Sequence, residues 1–479
     1  MGLLKGAVQL SSLVAIGAIL RFGRNVLIAR LLGVEEYGIV STYFIVLAFV
    51  ESMTALSLGQ FLIRDPEGDK PRVLAVVQFL IFVRSCAVAL LILIGAGPMS
   101  EFLGHPELVN AYRLLALAPF IGGFIHVERI RKERGLDYAM TGKIECGGVV
   151  ASLLLVTPFA LFFADHRIFL AYLIVDVAGK AAISLWLAPE RLRFSWDRGV
   201  ALRVLSFSWP LLLTSPVVFA TMQGDRLIVA NRFTAADLGL LSAAVTLAGT
   251  PVHMLRRILG PLFYSAISRV RNLGGAMGEM LDFAFQAQAF AGAAAAIVIA
   301  VVGPAALIIV FGEPFRPAAG LIGIVGVGAV LPLLRGGFTS FAMSAGRTVE
   351  PLLSSIPRLL AVAVAFYVAA GGGGIEAVLL VGIAGEFASV LLAMALFARI
   401  APGPEVRRSV ARLFVLTFAV LGAALALHWA PPAALGPFPA PPLEATLGAT
   451  AALAILFAAS GALRARILAV IRKRLLRRR

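Results

Sequence analysis

The chain alternates long apolar stretches with short polar ones almost from end to end. Apolar runs of 18 or more residues recur throughout, each long enough to cross ~30 Å of hydrocarbon as a helix. Their positions predict fourteen spans: 8–32, 37–62, 73–97, 108–127, 144–164, 168–188, 204–232, 236–255, 283–311, 317–343, 352–370, 375–398, 411–430 and 443–461. The junctions at 33–37 and 371–374 leave room only for very short turns. A membrane barrel would instead show ~10-residue segments of alternating polarity. The pattern predicts an all-α polytopic membrane protein of about fourteen transmembrane helices.

Composition agrees: 60% of the 479 residues are hydrophobic and 14% are charged, with a mean hydropathy of +0.94. A soluble domain carries about 25% charged residues. The net charge of +16 raises the question of nucleic acid, and the placement of the charge answers it. With the N-terminus on the cytoplasmic side, thirty Lys and Arg fall in cytoplasmic segments and two, Arg167 and Arg316, fall outside. This is the positive-inside pattern. It predicts both termini on the cytoplasmic side and no nucleic-acid partner.

The first run contains arginines and is too long for a signal-peptide core, so it reads as a retained helix. The tail "GALRARILAVIRKRLLRRR", 461–479, is either an ordinary cytoplasmic stop signal or an amphipathic helix on anionic lipid headgroups. The longest outer loop, "APPAALGPFPAPP" at 430–442, carries no charge. Cys86 and Cys146 lie in or beside apolar runs without metal or redox spacing, and His126 and His253 have no second histidine at metal spacing. No cofactor or metal is expected.

A repeat underlies the spans. "GRNVLIARLLGVEEYGIVS", 23–41, aligns without gaps on "GDRLIVANRFTAADLGLLS", 224–242, at an offset of 201. Gly23/Gly224, Ala29/Ala230, Gly38/Gly239 and Ser41/Ser242 are identical. Each copy opens a block of six spans, and six is even, so both blocks enter the membrane in the same direction. The prediction is two parallel six-helix lobes, 1–200 and 201–400, related by a pseudo-twofold along the membrane normal, with residues 401–479 as two further helices and a basic tail. In each copy Glu35 and Glu36, or Asp237, fall in the first turn of the next helix, where an acid suits the helix dipole. Gly38 and Gly239 are expected to let helices approach closely.

Charges within the spans point to the chemistry, because each costs ~2.5–3.5 kcal/mol at a bilayer centre and so faces a partner or water. At 100° per residue, Arg21, Arg24 and Asn25 share one face of the first span. Arg30 points the other way, and Arg113, Arg232 and Arg358 lie near span ends, where they are expected to reach the interface. Arg21, Arg24, Asn25, Arg84, Arg226 and Arg335 are the candidates for a cationic binding cavity. The interior acids Asp225, Glu51, Glu386 and Asp176, with Lys180, are candidates for gating or ion coupling. Asp176 and Lys180, four apart, also form a natural structural pair. The repeat offset puts Asp225 in the place of Arg24, which suggests that these two pair when the outer side is closed. Guanidinium holds phosphate oxygens in bidentate fashion, so a pyrophosphate headgroup on a lipid tail suits such a cavity.

Several stretches resemble the bacterial polysaccharide transporter, or oligosaccharide (Wzx-like) flippase, family of the multidrug/oligosaccharidyl-lipid/polysaccharide exporter superfamily. They are "ARLLGVEEYGIVS", "GQFLIRD" at 59–65, "RKERGLDY" at 131–138, "SFSWPLLL" at 206–213, "DRLIVANRFTAADLGLLSAA" at 225–244 and "PLFYSAISRV" at 261–270. The resemblance implies carriage of a lipid-linked oligosaccharide, usually on undecaprenyl pyrophosphate, from the cytoplasmic to the periplasmic leaflet by alternating access. Polymer synthesis and assembly proteins would then be partners. One departure is Tyr264–Ser265, where many members have a proline. A cation-coupled multidrug antiporter of the same superfamily is the alternative, though such carriers favour acidic cavities. A membrane polymerase or ligase is disfavoured by the small outer loops and by the lack of HExxH, GxSxG or P-loop signatures. "GIVGVG" at 323–328 lies within a span and follows no strand, so it reads as helix packing.

Overall fold

The computed structural model describes residues 2–465 except 55, 136, 163–164, 274–276, 348, 402, 427–432, 436–437, 441–442 and 462. Most of the basic tail thus lies outside the described residues, and with it the expected contact with anionic lipids. Apolar sequence without backbone partners in lipid must satisfy its own hydrogen bonds, and helices do so within one segment. The described chain is accordingly helical apart from one short hairpin, in which β1 (Ala433–Leu435) pairs antiparallel with β2 (Phe438–Ala440). Among the described residues, nine helices are long and apolar enough to cross a bilayer. The number is ten when Arg198–Trp209 and Thr214–Arg232, bent by 46°, count as one span.

The chain divides into two compact units, Met1–Gly239 and Leu240–Arg479; the expected lobe boundary at 200–201 falls inside the first. That unit holds α1 (Gly2–Leu32), α2 (Val34–Met53), α3 (Leu58–Arg64), α4 (Pro71–Phe102), α5 (Val109–Leu115), α6 (Leu117–Gly122), α7 (Glu128–Arg134), α8 (Ala139–Phe162), α9 (Arg167–Leu187), α10 (Arg198–Arg232) and the first turn of α11 (Ala235–Leu273). The second holds the rest of α11, then α12 (Met277–Phe311), α13 (Ile322–Ser344), α14 (Glu350–Leu353), α15 (Ile356–Ala370), α16 (Ile375–Ile400), α17 (Pro404–Ala426) and α18 (Leu443–Ala459).

Two predicted spans are broken helices. The run 37–62 is interrupted between Met53 and Leu58, and Arg84 Nε of α4 takes the Thr54 carbonyl oxygen left without a helical donor, at 2.8 Å. The run 108–127 becomes α5 and α6, which meet at Ala116. Pro119 has no N–H to give to Leu115, so the ladder stops there. Beyond α6, the buried Gln78 amide donates to the carbonyls of Gly123 and Ile125 at 3.2 and 3.3 Å and accepts from the Val127 N–H at 2.7 Å. One side chain thereby satisfies three backbone groups at a chain break inside the unit. Conversely, α11 runs on to Leu273, past the predicted end at 255, because Arg256 and Arg257 end the apolar stretch without opposing helix.

The aligned turns take the expected form and add a contact. Gly33, at φ 79°, joins α1 to α2 as a single residue, with Glu35 and Glu36 in the first turn. At the start of α11, Thr234 and Asp237 cap each other reciprocally: the Thr234 hydroxyl donates to Asp237 at 2.8 Å, and the Asp237 N–H donates to the Thr234 hydroxyl at 3.1 Å. A Cβ on Gly38 would fall 1.7 Å from the Ala235 carbonyl oxygen, and one on Gly239 would fall 2.0 Å from that of Val34. Each glycine therefore meets the backbone four residues before the other, and no side chain fits at either. Gly38→Ala and Gly239→Ala should each lower the apparent melting temperature of the purified protein, whereas Gly23→Ala, with open space at its Cβ, should leave it unchanged. Detergent thermal-shift assays check this.

The segment 188–197 between α9 and α10 lies on α4: the Ser195 N–H donates to the Ala75 carbonyl at 3.3 Å, and Asp197 caps α10 through the Val200 N–H at 2.9 Å and pairs with Arg72. The Arg72 hydrogen bond holds the Asp197 carboxyl below the usual carboxylate range, with the Val200 N–H adding to it. A depressed carboxyl contributes its hold above its unfolded value and loses it as pH falls through the folded one. Protease nicking within 188–197 should therefore rise on acidification below the ordinary carboxylate range, and Asp197→Asn should show the raised rate at neutral pH.

Candidate functional site

The first span delivers its charged face to a partner. Arg21 folds back over Gly17, which leaves room for the guanidinium with Nη1 3.4 Å from where a Cβ would lie. One turn on, Arg24 is 6% exposed, and its Nη1 donates to Asp176 Oδ2 on α9 at 3.3 Å. Its guanidinium also lies over the Tyr172 ring, 4.8 Å from the centroid, and Nε meets Asn25 Oδ1 at 3.4 Å. Asp176, 4% exposed, receives Lys180 Nζ on the same oxygen at 3.2 Å. Lys180 also reaches Glu145 Oε2 of α8 at 3.2 Å, and Arg21 approaches that oxygen at 3.6 Å. The result is a closed set of five charges, three basic and two acidic, on three helices.

Glycines make the set close. A Cβ on Gly148 would fall 2.7 Å from the Asp176 carbonyl oxygen and 2.5 Å from Lys180 Cγ, and one on Gly179 would fall 3.4 Å from Gly148 Cα. The backbones of α8 and α9 are therefore in contact where the charges meet, which sets Glu145 beside Lys180. Asp176 Oδ1 faces this contact and has no hydrogen-bond partner among the described residues.

The same two residues, Glu145 and Lys180, line a cavity of about 580 Å3 within the first unit. Glu51 and Arg84 line it too, as do Arg129 and Glu133 of α7, which pair at 3.7 Å. Arg226, on α10, has Asp225 and Tyr37 within electrostatic reach.

In the second unit, Arg335 Nε of α13 donates to Glu386 Oε1 of α16 at 2.8 Å, and its Nη1 donates to the Ser355 hydroxyl at 2.5 Å. Arg335 and Glu386 are 8% and 4% exposed. The expected arginine pool is therefore three groups: Arg21, Arg24 and Asn25 with Asp176 and Lys180, opening onto the cavity of Glu51 and Arg84; Asp225 with Arg226; and Arg335 with Glu386. The carboxylate holding Arg24 here is Asp176, so neutralising Arg24 does not require the expected partner Asp225. Arg358, expected to reach the interface, is 6% exposed, and its backbone N–H takes the Ser389 hydroxyl at 3.1 Å. It lies toward the start of the predicted span 352–370, but α16 covers it, with Arg358 Cα 3.4 Å from where a Cβ on Gly385 would lie. Arg30, Arg113 and Arg232 are exposed.

Sequence reasoning passed over Glu145, Tyr172 and Ser355. Glu145 is the second residue of the predicted span 144–164, and Gly148, one turn on, is the sequence signal for the close approach that brings it beside Lys180. Removing one partner from a buried pair costs about 3–5 kcal/mol, because it strands the other charge. Asp176→Asn should therefore destabilise the protein by that order, and Arg24→Gln/Asp176→Asn should recover part of the loss. A double-mutant cycle on chemical unfolding measures the coupling.

A family model described as polysaccharide biosynthesis protein matches residues 27–319. A curated relative, the succinoglycan biosynthesis transport protein ExoT of Rhizobium meliloti (strain 1021), is 28% identical over 255 residues, 51% of this chain and 49% of that protein. The match thus spans about half the length of the relative. Among solved structures, an inward-facing multidrug resistance MATE family transporter of the MOP superfamily superposes with a TM-score of 0.66 at 14% identity, over 82% of this chain and 95% of the other. The lipid II flippase MurJ in its inward closed conformation gives 0.65 at 13% identity, over 96% and 99%. A MOP superfamily transporter from Pyrococcus furiosus, described as having a binding pocket of reversed polarity, gives 0.57 at 18% identity, over 83% and 95%. At these identities the likeness is one of fold.

Proposed function

This chain belongs to the family of polysaccharide biosynthesis proteins, and from that premise we propose that it is a membrane flippase for a lipid-linked saccharide. The substrate is a saccharide on a polyprenyl pyrophosphate such as undecaprenyl pyrophosphate, moved from the cytoplasmic to the periplasmic leaflet by alternating access. The observation that carries the reading is the surplus of base in the Arg21–Arg24–Lys180–Glu145–Asp176 set. An excess positive charge held in an apolar unit favours an anionic ligand, and Arg24 is the residue that takes it. The names of the relative, a succinoglycan transport protein, and of the fold neighbour, a lipid II flippase, support the same substrate class. In this reading the protein sits in the inner membrane with both termini cytoplasmic. Fourteen spans form lobes 1–200 and 201–400 with an appendix from 401, and the exported saccharide passes to polymerising or assembly proteins.

The fold likeness to a multidrug transporter keeps a second reading in view, export of organic cations. The basic surplus opposes it. Flipping of a fluorescent undecaprenyl-pyrophosphate saccharide in reconstituted vesicles tests both. Wild type should transport it. Arg24→Gln should lose tenfold or more, about 1.4 kcal/mol or more at the barrier, and Arg24→Lys should retain an intermediate rate because it keeps the charge and loses the fork. Undiminished transport by Arg24→Gln, or cation efflux without lipid flipping, overturns the proposal.

A further inference from the structure

The five-charge set has a consequence for what enters with an anion. At rest, Arg21, Arg24 and Lys180 face Glu145 and Asp176, and Lys180 is shared at 3.2 Å by both carboxylates. A ligand that takes the two arginines of α1 leaves one ammonium facing two carboxylates. That is one negative charge too many in a place where Asp176 is 4% exposed, and a buried unpaired carboxylate is costly.

We propose that an anionic ligand held by Arg21 and Arg24 binds together with one proton, and that Asp176 receives it. This rests on the reading of Arg24 as the residue that takes the ligand's anion, and it adds an ion to the bound complex. The proton belongs to the pair of carboxylates as a coupled system, and burial assigns it. The Asp176 side chain is 6% exposed, whereas that of Glu145 is 39% exposed and stays hydrated. Asp176 also has an oxygen to carry it, since Oδ2 accepts both cations while Oδ1 has no partner among the described residues.

The other groups around Asp176 leave the assignment in place. From α1 come Arg21 and Arg24, from α8 Glu145, and from α9 itself Tyr172 and Lys180. The stretch 117–122 that forms α6 holds no titratable side chain, and on α5 Tyr112 is engaged with the Thr42 hydroxyl and Arg113 with Asn110.

The exchange balances. Arg24 Nη1 passes from Asp176 Oδ2 to a phosphoryl oxygen. A proton from solvent forms an O–H bond at Oδ1, and no other covalent bond is made or broken. Solvent reaches the set through the cavity of about 580 Å3 on which Glu145 and Lys180 open. By linkage, a group that gains proton affinity in the bound state makes binding tighter as pH falls.

Calorimetric titration of the full-length protein in nanodiscs with farnesyl pyrophosphate tests this, run near neutral pH in buffers of different ionisation enthalpy. The probe's own protonation is common to all variants and cancels in the difference. Wild type should take up close to one proton more per probe bound than Asp176→Asn. The affinity of Asp176→Asn should lose up to about tenfold of the wild-type dependence per pH unit, and Glu145→Gln, which leaves one ammonium facing one carboxylate, should lose the extra uptake as well. Infrared difference spectra of wild type assign the proton and need no variant to fold: they should show the carbonyl band of a protonated carboxylic acid on probe addition, shifted by 13C-aspartate labelling and not by 13C-glutamate labelling. Equal proton uptake in wild type and Asp176→Asn, full uptake in Glu145→Gln, or no aspartate band overturns the proton. Equal probe binding by wild type and Arg24→Gln, or none by wild type, overturns the anion reading and the proton with it.

Discussion

A guanidinium inside an apolar helical unit must meet a carboxylate, and the Arg24–Asp176 contact at 3.3 Å organises the helices around it. To reach Asp176, α1 must turn its Arg21–Arg24 face toward α9. For Asp176 to be buried without prohibitive cost, Lys180 must lie one turn away on the same helix. For Lys180 to be held from the other side, Glu145 must come close, which the Gly148–Gly179 contact of α8 with α9 permits. Packing and charge are one requirement here, since a methyl group at Gly148 would displace both the Asp176 backbone and the Lys180 stem.

The second unit meets the same requirement with fewer parts. Arg335 is divided between Glu386 and the Ser355 hydroxyl, and Arg256 lies within electrostatic reach of both charges. In the same unit, Phe285, Phe338, Phe397 and Phe414 stack with centroids 4.7–6.2 Å apart. Gln288 reaches the Leu333 carbonyl at 2.7 Å beside them. Base is in surplus in both units, and the anion is proposed at Arg24 because the five charges around it adjoin the cavity of about 580 Å3 through Glu145 and Lys180.

Hydropathy made the helices legible because a segment in lipid must be apolar along its whole length, so composition alone marks it. Breaks were illegible for the complementary reason. The interruptions after Met53 and around Ala116 are stabilised by Arg84 and Gln78 from another helix, and one segment's hydropathy says nothing of its neighbour's side chains. Helical phase correctly put Arg21, Arg24 and Asn25 on one face, and spacing identified the Asp176–Lys180 pair. It could not choose among distant carboxylates for Arg24, because that choice depends on which helices are adjacent. Gly38 and Gly239 were readable as points of close approach, whereas the reciprocity of their contact emerges only in three dimensions.

The one-residue joint at Gly33 gives α1 the mechanics of a lever. Arg24 stands nine residues from that joint, about 13 Å along the helix axis. A rotation of only ~10° there would carry its guanidinium ~2 Å, enough to take a 3.3 Å contact out of hydrogen-bond range. The left-handed backbone at φ 79°, which glycine adopts without penalty, thus places a hinge at one end of α1 and its most valuable charge well out along the arm. A small swing at the turn becomes an on-or-off event at the carboxylate.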